Sequence, residues 1–194
     1  YNPLTFKSEK VAALDNRKCI AIGRLEPQKN FRDLVAAWKY VAEEYPDWVV
    51  EIYGNGGQKD ALQKQIASLG LDRQVKLMGS SNDIRSKMLE SSCLVMSSAY
   101  EGFPMVLLEA VETGLPMVSY DCPRGPAEII IDGESGYLVK PGDVKGLARR
   151  VCDVISDADR RKKFGAKAKE TAAQYSIGKT MEQWKKLFED LVTK

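Results

Sequence analysis

Two carboxylates and two cations stand out in this chain of 194 residues, because their positions suit them to one ligand. Glu101 lies in the loop Ser97-Ser98-Ala99-Tyr100-Glu101-Gly102-Phe103, and Glu109 lies a little over one turn inside the helix that follows. Pro104 suits the first helical position, where the N–H it lacks has no helical partner anyway. The backbone N–H groups of Phe103, Met105 and Val106 then point out of the helix N-terminus, where a phosphate is stabilised. Carboxylates on either side of an anion site fit a ligand that also offers hydroxyls for them to accept from, as a nucleotide-sugar does. Taken singly, each carboxylate has a plainer reading, as a loop charge or as an acid favouring the helix dipole. That reading leaves the glycine, aromatic and proline between them unexplained. Upstream, Arg24 and Lys29 bracket the loop from Gly23 to Asn30. A guanidinium with five N–H donors and a compact ammonium fit a diphosphate, and read equally as two solvated surface cations.

The elements that must position these groups follow from the apolar runs. Strands are expected over 18–22, 48–53, 74–78, 93–97, 116–120 and 136–139. Helices are expected over 31–45, 59–69, from Asn82 or Asp83 to about 91, from Pro104 to Gly114, and over 127–131, 144–156, 159–174 and 177–192. Asn30 and Asp143 read as N-caps, and Gly70 as a helix stop. Strand and helix alternate, and the strands are continuous apolar runs, the pattern of a parallel sheet covered on both faces. The expected fold is α/β: a Rossmann-like, doubly wound parallel sheet of about six strands, with ligands at the strands' carboxyl ends. The loops after the first four strands share that rim. Among them, Gly54-Asn55-Gly56-Gly57 either lets the backbone approach a ligand or is an ordinary turn. It lacks the G-x-G-x-x-G spacing and follows the second strand, so it is a poor dinucleotide fingerprint. Tyr100 is a rim aromatic or core, and Glu128 reads as a helix-start charge.

Composition removes several classes. There are 29 basic and 27 acidic residues, a net charge of +2, which argues for neither nucleic acid nor a membrane surface. The hydrophobic fraction of 44% suits one domain with a real core. Histidine is absent, which removes Ser-His-Asp and Cys-His nucleophiles and most zinc sites. Cys19, Cys93, Cys122 and Cys152 show neither paired nor metal-ligand spacing and read as buried free thiols in a reducing compartment, the cytoplasm. No apolar run is long enough to span a membrane and no signal peptide is visible. Residues 1–17 read as a lead-in or interdomain linker, 18–175 as the binding domain and 176–194 as a C-terminal helix. Ile177, Met181, Trp184, Leu187, Phe188 and Leu191 form an apolar stripe on that helix, which either packs on the domain's own sheet or is left without its native partner. The first residue is Tyr1, in keeping with a piece of a longer protein.

Together, Gly23-Arg24-Leu25 with Lys29-Asn30-Phe31, Tyr53-Gly54-Asn55-Gly56, and Glu101-Gly102-Phe103-Pro104 through Glu109 resemble the donor-binding half of family-four retaining glycosyltransferases. Gly125-Pro126-Ala127-Glu128-Ile129-Ile130, Asp132-Gly133 and Gly136-Tyr137-Leu138-Val139 continue the resemblance in that family's order, over residues 18–143. The resemblance implies one half of a GT-B arrangement, with Arg24, Lys29 and Glu101 as the catalytic group. It places Arg24 and Lys29 on the donor diphosphate, Glu101 on the sugar hydroxyls and Glu109 on the ribose hydroxyls. Gly23, Gly54, Gly102 and Pro104 would line the donor, and the N–H groups of Phe103, Met105 and Val106 would meet sugar or phosphate oxygens. The base would sit by Met78 to Ser81, including Ser80.

The implied reaction moves a hexosyl group from a nucleoside-diphosphate sugar, by family frequency a UDP-sugar, to a glycan or lipid-linked acceptor in polysaccharide biosynthesis. No metal or other cofactor is expected. In that family the acceptor-binding domain precedes this one, carries any membrane contact, and is crossed by the last helix. This half alone is then expected to bind donor and turn over little or nothing. A nicotinamide-dependent oxidoreductase would need a glycine fingerprint after the first strand, where Gly23-Arg24-Leu25-Glu26-Pro27 stands instead. A nucleotide-sugar epimerase and a non-catalytic sugar-nucleotide module remain as rival readings.

Overall fold

The computed structural model describes residues 3–4 and 6–192, so Tyr1, Asn2 and Thr5 of the lead-in, and Thr193 and Lys194, lie outside the described residues. The strands are β1 (Lys18–Ile22), β2 (Val49–Tyr53), β3 (Val75–Gly79), β4 (Cys93–Met96), β5 (Met117–Tyr120) and β6 (Gly136–Val139). They form one sheet in the order β3-β2-β1-β4-β5-β6, and every pairing is parallel. β1 is central, and Cys19, Ile20 and Ala21 are fully buried because both faces are covered. Chain order reverses between β1 and β4, which opens a crevice at their carboxyl ends.

The helices are α1 (Phe31–Glu44), α2 (Lys59–Ser68), α3 (Ile84–Leu89), α4 (Met105–Thr113), α5 (Pro126–Ile129), α6 (Val144–Ile155), α7 (Ala158–Thr171) and α8 (Ile177–Val192). One face of the sheet is packed by Leu34 and Trp38 of α1, Leu62 and Ile66 of α2, and Leu147 and Val151 of α6. The other is packed by Met88, Leu107, Leu108, Val111 and Ile129 of α3, α4 and α5. α7 lies across the edge of both layers, with Phe164 in the first and Ala168 in the second.

Three helices start on an aspartate whose side chain accepts from the amide three residues on: Asp83 from Ser86, Asp143 from Gly146 and Asp157 from Arg160. Of the two caps considered for α3, Asp83 takes the role. Asn30 differs from expectation. A 3₁₀ turn, Pro27–Lys29, precedes α1, and Asn30 adopts the left-handed conformation (φ 46°) with no side-chain cap bond. Its own N–H closes the turn onto the Pro27 carbonyl at 3.1 Å, a conformation that asparagine tolerates. Pro104 moves one place: α4 begins at Met105, and Pro104 is the cap whose carbonyl accepts from Leu107 N–H at 2.9 Å. The helix expected to run to 174 stops at Thr171 and tightens into a 3₁₀ turn, Ala172–Tyr175.

The lead-in lies against the domain. Leu4, Ala12 and Leu14 are buried, and the Leu4 and Ala12 amides donate to the carbonyls of Tyr175 and Thr113 at 2.8 Å each. Arg161 is buried beneath it. Its guanidinium donates to the Ile155 carbonyl at 2.6 Å, closing the α6 C-terminus, and to the Leu14 carbonyl at 3.0 Å. On α8 the apolar stripe is open: Ile177, Met181, Trp184, Leu187, Phe188 and Leu191 stay 46–61% exposed, with Trp184 and Phe188 stacked on each other.

Candidate functional site

The loop after β1 is bonded to its neighbours on both sides. Toward β2, Gly23 N–H donates to the Tyr53 carbonyl at 2.9 Å, Leu25 N–H to the Asn55 carbonyl at 2.9 Å, and Gly57 N–H to the Glu26 carboxylate at 2.9 Å. Gly54 makes this approach possible. Its φ is +147°, and a Cβ there would lie 1.9 Å from the Gly23 carbonyl oxygen. Toward β4, Ala99 N–H donates to the Gln28 carbonyl at 2.8 Å, and the Gln28 side-chain amide donates to the Tyr100 carbonyl at 3.0 Å. The Ser97 hydroxyl donates to the Lys29 carbonyl at 2.9 Å. These bonds draw two loops far apart in sequence into one seam over the crevice.

At that seam Lys29 and Glu101, which the sequence singled out separately, meet directly. Lys29 Nζ lies 2.6 Å from Glu101 Oε1, and the Ser98 hydroxyl donates to the same oxygen at 2.7 Å. The Lys29 side chain is 17% exposed and that of Glu101 is 7% exposed, so the pair is largely shielded from water. Among the described residues nothing donates to Glu101 Oε2. Shielded pairs of this kind are weak stabilisers, but removing one partner leaves a costly lone charge. Ser97 and Ser98 are buried and hold the two partners, one through the lysine backbone and one through the carboxylate. Nothing in the sequence marked Ser98 beyond its place three residues before Glu101.

Glu109 stands apart from this pair. It is half-buried, no side-chain or backbone donor among the described residues reaches its carboxylate, and burial holds its carboxyl above the usual range. It lines a cleft of about 420 Å³ with Phe6, Asn82, Asp83, Arg85 and Ser86. The Arg85 guanidinium lies over the Phe6 ring, its carbon 4.7 Å from the ring centroid. Neither residue carried a sequence signal: Phe6 sits in the lead-in and Arg85 on a short polar helix.

The other expected residues fall around these two centres. Arg24 is exposed, with no ion pair or side-chain hydrogen bond among the described residues. Met78 and Ser80 are exposed at the carboxyl end of β3, where Ser80 accepts from the Asn55 side chain at 3.1 Å. β3 is an edge strand, two places from β1. Gly102 is exposed; Phe103, Met105 and Val106 are half-buried. Pro104 is buried against Gly125 (φ +106°), where a Cβ would come within 2.2 Å of the proline Cδ. Tyr100 is 59% exposed, a rim residue, and Glu128 is an exposed charge in the first turn of α5. Cys122 lies close enough to feel the Glu101 charge. Burial pushes its thiol up to about 11, so it is a neutral thiol at pH 7. Among the described residues, no three His, Cys, Asp or Glu side chains converge as metal ligands would, and no helix is long and apolar enough to cross a membrane.

A parallel sheet with its order reversed at β1 and β4, carrying a basic loop and a carboxylate-flanked helix start over the crevice, defines a Rossmann-type ligand-binding α/β domain. The chain belongs to the glycosyl transferases group 1 family, whose profile matches residues 5–171. Among its relatives, an exopolysaccharide phosphotransferase of Streptomyces coelicolor is 34% identical over 94% of this chain and 20% of its own length. The amylovoran biosynthesis glycosyltransferase AmsD of Erwinia amylovora is 33% identical over 91% of this chain and 49% of its own. The chain thus spans about half or less of these relatives. Among solved structures, Staphylococcus aureus TarM, as a point mutant with UDP, fondaparinux and α-GlcNAc-glycerol, matches at a TM-score of 0.88 and 25% identity, over 97% of this chain and 38% of that one. The C-terminal domain of a group 1 glycosyl transferase, LpcC, from Francisella tularensis matches at a TM-score of 0.77 and 25% identity, over 90% of this chain and 97% of that one.

Proposed function

We propose that this chain is the donor-binding half of a family-four, configuration-retaining GT-B glycosyltransferase. In the whole protein it moves a hexosyl group from a nucleoside-diphosphate sugar, a UDP-sugar, to a glycan or lipid-linked acceptor in cytoplasmic polysaccharide assembly. The reading is carried by one observation. A shielded Lys29–Glu101 pair lies on the seam over the β1/β4 crevice, and a half-buried carboxylate without a donor, Glu109, lies five residues into the helix that leaves it. The relatives support it: TarM was solved with UDP, and AmsD is a biosynthetic glycosyltransferase. Their greater length supports an acceptor-binding half outside this chain, reached through the lead-in and α8.

Breaking the sugar–phosphate bond leaves negative charge on the diphosphate and oxocarbenium character on the sugar. The N–H groups at the start of α4 are held by the helix and the Lys29 backbone by Ser97, so these groups, with the Lys29 ammonium and Arg24 turned to the diphosphate, stabilise the departing charge. No metal enters this scheme. Glu101 accepts from sugar hydroxyls and offsets the developing positive charge, while Glu109 accepts from the ribose hydroxyls. Gly23, Gly54 and Gly102 keep the backbone bare beside the donor, and the end of β3, at Met78 and Ser80, faces the base. The acceptor attacks on the face the diphosphate leaves, with the leaving phosphate assisting, which retains configuration without a covalent enzyme intermediate.

Calorimetry with UDP, GDP and a nicotinamide dinucleotide tests the reading. UDP is expected to bind, and Glu109→Ala to weaken UDP by about tenfold, since a hydrogen bond to a charged group contributes about 1.5–3 kcal/mol. Glu101→Ala is expected to weaken the sugar-bearing donor but not UDP. Dinucleotide binding without nucleoside diphosphate binding would overturn the assignment, and efficient transfer by this chain alone would overturn its standing as half a site.

A further inference from the structure

Lys29 is assigned to the diphosphate, yet its ammonium already rests on Glu101. We infer that this pair makes Glu101 a specificity-determining residue, which selects against a nucleoside diphosphate that has lost its sugar. The inference rests on the proposed function, in that it takes Lys29 as a diphosphate ligand.

The geometry carries it. Glu101 Oε1 has two donors, the Lys29 ammonium at 2.6 Å and the Ser98 hydroxyl at 2.7 Å. Only one of them is charged. When Lys29 turns toward a phosphate, Glu101 keeps a single neutral hydrogen bond inside a site where its side chain is 7% exposed. Water replaces the missing donor poorly there, so the carboxylate is left under-compensated. A sugar hydroxyl donating to Oε2, or to the vacated Oε1, restores the lost bond. A bare diphosphate offers no donor and adds negative charge nearby. The two serines keep the conflict in place: Ser97 ties down the Lys29 backbone at 2.9 Å, and Ser98 ties down the carboxylate. The lysine backbone and the carboxylate therefore stay in place while the ammonium turns. The intact donor therefore has both ends of the pair satisfied, whereas the spent nucleotide satisfies one at the expense of the other. In a transferase this favours exchange of product for fresh donor.

A double-mutant cycle read by calorimetry with UDP alone decides the matter, because it needs no knowledge of the sugar. Glu101→Gln is isosteric and removes the charge. In the Lys29 background it is expected to tighten UDP roughly tenfold, and in a Lys29→Ala background the gain is expected to vanish. If Glu101→Gln does not fold, as judged by its thermal transition, Glu101→Asp takes its place. That change withdraws the carboxylate by one methylene and is expected to tighten UDP by a smaller factor, with the same dependence on Lys29. Equal tightening in both backgrounds would reduce the effect to general charge repulsion and overturn the inference. Unchanged or weaker UDP binding by the Glu101 variant, with Lys29→Ala still weakening UDP, would overturn it while leaving the donor-binding reading intact. UDP binding indifferent to Lys29→Ala would instead remove the reading on which it rests.

Discussion

Glu109 is held half inside the domain, with no donor from the described residues, and its carboxyl is raised by burial. A carboxyl raised on folding binds its proton more tightly in the native state than in the unfolded chain. Stability therefore falls as pH climbs from the ordinary carboxylate range through the raised native value. Glu109→Gln is accordingly expected to raise the melting temperature at pH 7 and to leave it unchanged near pH 3, while nucleotide affinity falls. A neutral-pH stability equal to that of the parent would mean that the carboxylate is solvated after all. A stability penalty kept at Glu109 is in keeping with the binding role proposed for it. The types and spacing of Glu101 and Glu109 were readable from the chain. The pairing of Glu101 with Lys29 was not, because it joins groups 72 residues apart and depends on which strand lies beside β1. Phe6 and Arg85 were invisible for the same reason: their place beside Glu109 is a property of packing.

At the level of elements, α6 shows how a local rule can be overruled by a neighbouring atom. Gly146 lies in its first turn, and a Cβ there would fall 2.2 Å from Asp143 Oδ2, the side chain that caps the helix. Intrinsic propensity favours Ala over Gly by about 1 kcal/mol inside a helix. Gly146→Ala is nonetheless expected to destabilise, because it displaces a cap whose loss costs about 1 kcal/mol and presses a buried backbone against it. Asp143→Ala should lose that ~1 kcal/mol alone. Urea unfolding of both variants checks the order, and a more stable Gly146→Ala would show that the cap moves freely. Such contacts mark the limit of what the sequence discloses about elements. The strands were legible almost to the residue, since burial on both faces makes β1, β4 and β5 plain apolar runs, while the edge strand β3 still alternates around Val75 and Leu77. The start of α1 falls at Asn30 as expected but without a side-chain cap, and that of α4 is displaced by one place from Pro104, since there the backbone answers to the 3₁₀ turn and to Gly125 rather than to local preference.

For the molecule as a whole, α8 is the element that contributes least to its own domain. Of its described residues Thr180 alone is buried, and the stripe from Ile177 to Leu191 faces outward. Phe188→Lys is expected to change the unfolding free energy of this chain by no more than about 0.5 kcal/mol, as a surface substitution does. A loss of about 3 kcal/mol, the size expected for a buried aromatic, would show that the stripe is covered in solution by a second copy. The remaining apolar surface is arranged otherwise: the lead-in covers α4 and α7 with Leu4, Ala12 and Leu14, so the domain's second core is closed from within.

The seam over the crevice also carries a meaning in time. The Lys29–Glu101 and Ser97–Lys29 contacts span 72 and 68 residues, and they form between loops whose strands, β1 and β4, are neighbours in space but not in sequence. Closing a loop of that length costs entropy before any of its contacts can reward it, so pairings of this kind belong to the slow part of folding. β2 pairs with β1 across a much shorter stretch of chain and leaves the binding residues still apart. On the proposed function, the capacity to hold a nucleotide arrives with the closure of β1 against β4. The proposed donor is then expected to act in refolding as a reporter of the finished sheet and not as a template for it.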